Sequence, residues 1–245
     1  TTVMVVSFVN AGLLTLEQSI GIVMGANIGT TITGWLVAIL GFKFKISNIA
    51  LPAIGIGLPL VFSKITKRKN IGEIFVGFGL LFLGLKFLKN SVPDIKNNPE
   101  VLEFLTAYTD LGIISVFIFI IVGVILTITV QSSSAAMTIT ITMAFKGWID
   151  FPTAAALVLG ENIGTTITAY IASLGANYHA KRTARAHMIF NVFGVVWMLL
   201  SFSFFIPFID YIVPGDSSIA KNIPIHLSMF HTLFNITNVL LLIWF

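Results

Sequence analysis

Two nearly identical polar segments interrupt an otherwise apolar chain. GENIGTTIT at residues 160–168 matches GANIGTTIT at residues 25–33 in eight of nine positions, with one copy in each half of the chain. Both place glycine, asparagine and threonine where a membrane helix would normally carry leucine, isoleucine or valine. Apolar helices interrupted at matching places in two halves predict a binding site at the bilayer midplane of a transporter built from repeats. The alternative is two unrelated helices with small, polar packing faces.

The side chains of these two segments are suited to binding a ligand. Their glycines permit an unwound backbone, and hydroxyl groups at the start of each second half-helix would lie beside free backbone N–H groups. We expect one wall of the site to consist of Asn27, Thr30, Thr31, Asn162, Thr165 and Thr166. The alternative is that each threonine bonds back to a carbonyl of its own helix and causes a simple kink.

A third polar stretch, QSSSA at residues 131–135, offers one amide and three hydroxyl groups. In a lipid-facing helix each unpaired polar group costs free energy, but at the tip of a hairpin these groups become ligands. Hydroxyl and carbonyl oxygens suit a small hard cation such as Na⁺, and N–H groups at the start of the next helix suit an anion. We predict that the second wall consists of Gln131, Ser132, Ser133 and Ser134. A serine-rich turn packed against a neighbouring helix is the alternative.

Glu161 stands where the first segment has Ala26. A carboxylate at membrane depth predicts a function, either ligation of a cation or carriage of a proton, and a structural role is the alternative. No lysine or arginine falls within the predicted span interiors, so a bound anion would meet neutral donors. Co-bound cations would offset its charge, which is a physical reason for coupled transport.

An HxxFN pattern occurs twice, at His187 with Asn191 and at His231 with Asn235. The i, i+4 spacing places each pair on one helix face. Interhelical hydrogen bonding is the favoured interpretation, and proton sensing by histidine is the alternative.

The composition predicts a chain that lies mostly in a lipid bilayer. Of its 245 residues, 56% are hydrophobic and 10% are charged, whereas soluble domains carry about 25% charged residues. The absence of cysteine excludes disulfides and thiolate chemistry. Basic residues lie between the apolar runs, which is a topology signal and does not indicate nucleic-acid binding. Motifs for ATP hydrolysis, zinc hydrolysis and nucleophilic catalysis are absent, so neither enzyme activity nor an organic cofactor is expected.

The apolar runs predict an all-α polytopic membrane protein with two inverted-topology repeats, each with a re-entrant hairpin and a discontinuous transmembrane helix. The first repeat, residues 1–89, comprises an incomplete hairpin arm, a broken helix at 16–41, and spans at 49–62 and 71–89. A polar linker follows at 90–106. The second repeat, residues 107–245, comprises a hairpin with the QSSSA tip, a broken helix and two spans, at 109–149, 151–174, 186–209 and 223–245.

The hairpin is the favoured one of two interpretations of the long apolar run at 109–145. Residues 111–130 could span the bilayer, but residues 136–145 are too short to return across it, which argues against two full crossings. Polar backbone at membrane depth requires surrounding protein or a water-filled cavity. Aligning the two halves on their NIGTT segments places QSSSA opposite a segment just before Thr1, so we expect a second such tip there in a longer protein, of which this chain is a part.

Charge predicts the orientation. If residues 49–62 cross the bilayer, the basic loops at 64–70 and 181–185 lie on the same side. Each side has seven lysine and arginine residues, but only this side concentrates them in two short loops, which predicts that it is cytoplasmic. The second broken helix then runs opposite to the first, which is the inverted repeat used for alternating access.

The chain resembles the type II sodium-dependent phosphate cotransporter family, in particular its bacterial branch. The resemblance rests on QSSSA, on both xNIGTT segments and on their order, and it covers essentially the whole chain. The resemblance implies a multi-pass protein of the bacterial inner membrane that imports inorganic phosphate, with Na⁺ as the coupling ion. Two departures are the absence of the first QSSS and the presence of Glu161, where animal members have a small residue. A cytoplasmic PhoU-like region or regulator is left open, as is oligomerisation.

On this basis phosphate is expected to contact Asn27, Thr30, Ser132, Ser133, Ser134, Asn162 and Thr165. The expected Na⁺ ligands are Thr30, Thr31, Gln131, Ser132, Ser133, Ser134, Glu161, Asn162, Thr165 and Thr166. The alternatives are a carrier for another anion, an H⁺-coupled carrier that uses Glu161, and a non-transporting membrane sensor that binds phosphate.

Overall fold

The structure is a computed structural model that describes residues 1–43, 48–91, 103, 107–109 and 111–244. The regular structure of these residues is helical. The helices are α1 Thr2–Asn10, α2 Leu16–Trp35 with a π-helical continuation Leu36–Lys43, α3 Ala50–Val61, α4 Thr66–Ser91, α5 Ile113–Val130, α6 Ser133–Phe145, α7 Phe151–Ser173, α8 Tyr178–Ile212 and α9 Ile223–Leu242. The all-α class is therefore confirmed, and most of the polar linker at 90–106 lies outside the described residues.

Five helices of the described residues are long and apolar enough to cross a membrane. They are Leu16–Gly41, Thr66–Leu88, Ile113–Val130, Tyr178–Ile212 and Ile223–Leu242. Large apolar side chains such as Phe62, Leu200 and Trp244 are exposed on the outer surface, where lipid would cover them. The chain is therefore a multi-pass membrane protein.

Helix α3 is shorter than the predicted span at 49–62 requires. It has 12 residues, or about 18 Å of helix, against a hydrocarbon core of about 30 Å. It packs on α4, where a Cβ added at Gly72 would lie 2.6 Å from Val61 N. The crossing expected of residues 49–62 is thus not supported by the length of α3, and the side of the membrane on which the basic segments lie stays a prediction.

The basic segments at 64–70 and 181–185 are largely helical, and the prediction that they are loops is wrong. Helix α4 begins at Thr66 and α8 begins at Tyr178. Asn177 starts α8 early because its side-chain oxygen accepts a hydrogen bond from Ala180 N at 2.9 Å. With 35 residues, α8 is about 52 Å long, so its ends project beyond a bilayer core.

Helix α7, which carries GENIGTTIT, is buried at the centre of the molecule. Its residues from Ala154 to Leu159 are at most 2% exposed. It packs backbone to backbone against α5, because a Cβ added at Gly160 would meet Ile120 O and one added at Gly123 would meet Leu157 O. Small residues at such crossings permit the close approach of membrane helices.

Two helix–turn–helix segments, one in each half of the chain, have turns of matching geometry. The turn between α1 and α2 and the turn between α6 and α7 each contain a glycine with a left-handed backbone, Gly12 at φ 73° and Gly147 at φ 77°. The backbone bonds also match, since Leu13 N to Phe8 O and Trp148 N to Met143 O are both 2.9 Å. The two units are thus alike in local geometry, and they are related by the same offset along the chain as the two polar segments.

The QSSSA stretch joins two helices, as the hairpin interpretation requires. Helix α5 ends at Val130, Gln131 follows with a left-handed backbone (φ 56°, ψ 24°), and α6 begins at Ser133. Gln131 is the only described non-glycine residue with positive φ. The helix boundary at QSSSA is therefore observed, while a re-entrant path through a bilayer stays a prediction.

Candidate functional site

A cavity of about 400 Å³ lies between the QSSSA turn, the first polar segment and α8. We call it the tip cavity. Its wall consists of Thr1, Thr2, Ala26, Asn27, Gly29, Thr30, Thr33, Ser133, Ser134, Thr165 and His187. Five of the predicted site residues meet here, namely Asn27, Thr30, Ser133, Ser134 and Thr165, although they come from three separate parts of the chain. Among the described residues, no lysine, arginine, aspartate or glutamate is in this wall.

The N-terminus of α6 forms one side of the tip cavity. Ser132 is its N-cap, and its hydroxyl oxygen accepts a hydrogen bond from Ala135 N at 3.3 Å. Ser133 and Ser134 follow in the first helical turn and line the cavity. The first N–H groups of an α-helix have no intrahelical acceptor, and the helix dipole favours negative charge near them. This side of the cavity therefore offers hydrogen-bond donors.

The polar segments do not break their helices, and the prediction of unwound segments is wrong. Helices α2 and α7 are continuous through GANIGTTIT and GENIGTTIT. The reason is that the polar side chains donate to carbonyls of their own helix, which was the alternative. The bonds repeat in the two copies: Asn27 to Val23 and Asn162 to Val158 at 2.9 Å, Thr30 to Ala26 at 2.9 Å and Thr165 to Glu161 at 2.8 Å, Thr31 to Ile28 and Thr166 to Ile163 at 2.7 Å.

The two copies share these three bonds but have different surroundings. Gly160 and Gly164 of the second copy pack against α5, whereas a Cβ added at Gly25 or Gly29 of the first copy would meet nothing within 4 Å. Accordingly, the first copy supplies much of the cavity wall, and the second copy contributes Thr165.

Six predicted site residues do not line the tip cavity: Thr31, Gln131, Ser132, Glu161, Asn162 and Thr166. Glu161 is buried between α7 and α6, where its Oε1 accepts a hydrogen bond from Thr140 Oγ1 at 2.6 Å. Asn162 Oδ1 is paired with His231 Nε2 of α9 at 3.3 Å. Thr31 and Thr166 are buried.

Sequence reasoning missed Thr33 and His187 as cavity residues. Thr33 follows Thr30 at i+3 in the repeated segment, so the spacing could have predicted that both lie on the same helix face. Ser134 Oγ donates to Thr33 Oγ1 at 3.4 Å, which links α6 to α2. His187 was interpreted through the HxxFN pattern as an interhelical bonding residue, and no feature of that pattern indicates a cavity.

A second, more apolar cavity of about 260 Å³ lies on the other side of the Ser134–Thr33 contact. Its wall consists of Thr33, Leu36, Val37, Leu80, Leu81, Gly84, Leu85, Leu88, Ser132, Ser134, Ala135 and Thr138. Thr33 and Ser134 are the residues that the two walls share. Leu80 and Leu81 of α4 are exposed on the outer surface, so this cavity opens toward the side that lipid would cover.

The fold and the cavity define a class of protein, a multi-pass helical membrane protein with a polar, uncharged cavity between a helix N-terminus and an NIGTT segment. The model of the Na⁺/Pi-cotransporter family matches residues 1–90 and 100–208. The chain belongs to the Na⁺/Pi-cotransporter family, which is a family of transporters and not of enzymes.

Curated relatives agree with this membership. The chain is 31% identical over 247 residues to the uncharacterized protein YqeW of Bacillus subtilis, covering 98% of this chain and 73% of YqeW. It is 26% identical over 245 residues to the "Putative inorganic phosphate export protein YjbB" of Escherichia coli K12, covering 100% of this chain and 42% of YjbB. The protein of the same name from Salmonella typhimurium is 26% identical over 199 residues, covering 81% of this chain and 35% of that relative. No solved structure matches the chain.

Proposed function

We propose that the protein is a Na⁺-coupled secondary transporter of inorganic phosphate and that phosphate and Na⁺ bind in the tip cavity. The observation that supports this best is the separation of hydrogen-bond acceptors from donors in the wall. The hydroxyl hydrogens of Thr30 and Thr165 are donated to helix carbonyls, so their oxygen lone pairs remain for a ligand. The same holds for Asn27 Oδ1, since Asn27 Nδ2 donates to Val23 O. Oxygen acceptors of this kind suit Na⁺.

Phosphate takes the opposite side of the cavity in this proposal. Ser133 and Ser134 bring hydroxyl groups and the N–H groups of the first turn of α6 to the cavity. Backbone N–H groups at a helix N-terminus are a recurrent anion site. The six predicted ligands outside the cavity wall are not part of this assignment.

Coupling follows from the charge of the wall. Because the described wall contains no lysine or arginine side chain, no fixed cation there compensates a bound phosphate anion. Burying an anion without compensation is strongly unfavourable. Na⁺ on the acceptor side offsets the phosphate charge, so each ion binds better when the other is present, which is the physical basis of cotransport.

Alternating access is proposed to use the two similar helix–turn–helix units as opposing halves. The repeated bonds of α2 and α7 and the matching turns at Gly12 and Gly147 support a repeat. Inverted halves of this kind alternately open a midplane site to either side in other secondary transporters. Re-entrant hairpins belong to the same proposal.

Phosphate uptake into the cell is the proposed direction, and export is the second candidate. The name of YjbB, a protein that is 26% identical to this chain, favours export. The chain spans 42% of YjbB, so a further region of such relatives could set the direction. A carrier with reversible coupling runs in the direction that its combined gradients impose.

The test is the flux of radiolabelled phosphate in proteoliposomes, with Na⁺ and pH gradients imposed separately. We expect an inward Na⁺ gradient to drive phosphate accumulation and a pH gradient alone to be ineffective. Flux that ignores Na⁺ would refute the coupling, and saturable binding without flux would indicate a sensor. Oriented vesicles loaded with phosphate distinguish export from uptake.

A further inference from the structure

Four buried side chains of α8 and α9 share an unusual feature. They are the two HxxFN pairs, His187, Asn191, His231 and Asn235, which we call the His–Asn cluster. Their exposed fractions are 1%, 0%, 3% and 0%. Each has a buried side-chain atom without a hydrogen-bond partner: Nδ1 of both histidines and Oδ1 of both asparagines. Buried polar atoms in proteins are almost always paired, so such a group indicates an absent ligand or water.

The unpaired atoms of this cluster are mainly acceptors. Asn191 Nδ2 donates to His187 O at 3.0 Å and Asn235 Nδ2 donates to His231 O at 2.9 Å. Each side-chain amide therefore donates to a carbonyl of its own helix, and each Oδ1 is left as a free acceptor. Two buried carbonyl oxygens, one on α8 and one on α9, are thus satisfied by no donor of the described residues.

His231 adds a third acceptor. Asn162 Nδ2 already donates to Val158 O, so Asn162 Oδ1 is the acceptor of its 3.3 Å contact with His231 Nε2. His231 Nε2 then carries the hydrogen, and in a neutral imidazole Nδ1 carries a lone pair. A ligand that satisfies several lone pairs at once and supplies none is a cation.

The packing of α8 on α9 places Asn191 and Asn235 beside residues that form one contact between these helices. Phe190, the residue before Asn191, accepts a hydrogen bond from Asn238 Nδ2 at 2.9 Å, and Asn238 lies one turn after Asn235. A Cβ added at Gly194 would lie 2.7 Å from Asn238 Nδ2 and 2.9 Å from Phe234 Cζ, so the helices are in close contact at this point.

His187 connects the cluster to the tip cavity, because it lines that cavity and lies one helical turn before Asn191. No lysine or arginine belongs to the cluster.

We propose that the His–Asn cluster is a binding site for a monovalent cation, Na⁺, held chiefly by the carbonyl oxygens of Asn191 and Asn235. The site is separate from the acceptors of the tip cavity. This proposal rests on the proposed function only in that the cluster would be a second binding site for the coupling ion. Neutral carbonyl oxygens suit Na⁺ better than a transition metal.

The test is thermal unfolding of the purified protein without phosphate, in NaCl and in choline chloride of equal ionic strength. We expect Na⁺ to raise the melting temperature of the unaltered protein by about 2–4 °C. Asn191→Leu and Asn235→Leu should lose most of this shift, whereas Ser133→Ala should retain the part that the cluster supplies. Because phosphate is absent, a failure of phosphate transport would leave this result unaffected.

Asn238→Leu is the matched control. Asn238 is equally buried on α9, but both ends of its amide are paired, with Phe190 O at 2.9 Å and Trp197 Nε1 at 3.1 Å. It should lower the melting temperature in both salts and keep the Na⁺-dependent shift. If the leucine variants do not fold, Asn235→Asp should move the Na⁺ midpoint about tenfold lower by adding a charge at the ligand.

Three outcomes would overturn the proposal. The first is a Na⁺ shift that both leucine variants retain, which would place the cation elsewhere. The second is no difference between NaCl and choline chloride for the unaltered protein, which would mean that the cluster holds water only. The third is a folded Asn235→Asp variant with an unchanged Na⁺ midpoint.

Discussion

Single side chains of the tip cavity differ in what they can still offer a ligand, because the hydrogen bonds that they already make differ. Asn27 and Thr30 use their hydrogens on α2, so they present oxygen to the cavity. Ser133, in the first turn of α6, is among the groups that can donate. A polar residue type alone therefore does not tell a cation ligand from an anion ligand; its local partner does.

Ser133→Ala is expected to impair Na⁺-dependent phosphate uptake by about tenfold or more in kcat/KM, since a hydrogen bond to a charged group contributes about 1.5–3 kcal/mol. Ser7→Ala is the control, because Ser7 Oγ donates to Val3 O at 3.0 Å on an exposed part of α1. Radiolabelled uptake by the two variants checks this. Equal uptake would contradict the role of the α6 N-terminus.

At the scale of the helix, the NIGTT motif has a different structural role in each of its two copies. Gly160 allows α7 to touch the backbone of α5, whereas Gly25, in the equivalent position of α2, faces open space. The glycines of the second copy thus serve helix packing and not an unwound backbone. The two sequences are nearly identical, so only the neighbouring helices distinguish these roles.

Gly160→Ala and Gly25→Ala form a matched pair that measures this difference. The first substitution forces α5 and α7 apart, at a cost of about 1–3 kcal/mol. The second fills open space on a helix, where alanine is favoured over glycine by roughly 1 kcal/mol. We expect a lower melting temperature for Gly160→Ala and an unchanged or higher one for Gly25→Ala. Equal destabilisation by both would contradict the packing role.

Much of the helix order was predictable, because apolar runs and polar interruptions mark where helices begin and end. QSSSA was correctly placed between two helices, and Gly147 and Gly12 mark matching turns. The continuity of α2 and α7 was not predictable, because threonine and asparagine bond equally well to a ligand or to a helix carbonyl. The missed place of His187 has a similar cause, since cavity exposure depends on helices distant in sequence.

For the whole molecule, α8 bears on the orientation in the membrane. Its 35 residues exceed the bilayer core, so Arg182 near its start and Asp216 just beyond its end lie on opposite sides if α8 crosses. Short basic segments favour the cytoplasm, which predicts that Arg182 lies there, and Lys69 of α4 lies on the same side only if residues 49–62 cross. We propose this orientation, in a bacterial inner membrane, for the protein.

Single cysteines test the orientation directly, because the chain has no cysteine of its own. Cysteine at the exposed positions Lys69, Arg182 or Asp216 can be labelled with a membrane-impermeant maleimide. In intact cells we expect Asp216→Cys to react and Arg182→Cys to react only after permeabilisation, while Lys69→Cys tests whether residues 49–62 cross. The opposite pattern would reverse the orientation, and labelling of Arg182→Cys and Asp216→Cys from the same side would contradict the crossing of α8.

Thr33 and Ser134 line both cavities. Thr33 and Ser134 meet at 3.4 Å, with the polar cavity on one side and the leucines of α4 on the other. An amphiphilic inhibitor could therefore approach from the lipid, seat a hydrocarbon tail among those leucines and compete for Ser134 with its polar head. Such a compound would block transport without needing the negative charge that keeps phosphate mimics out of cells.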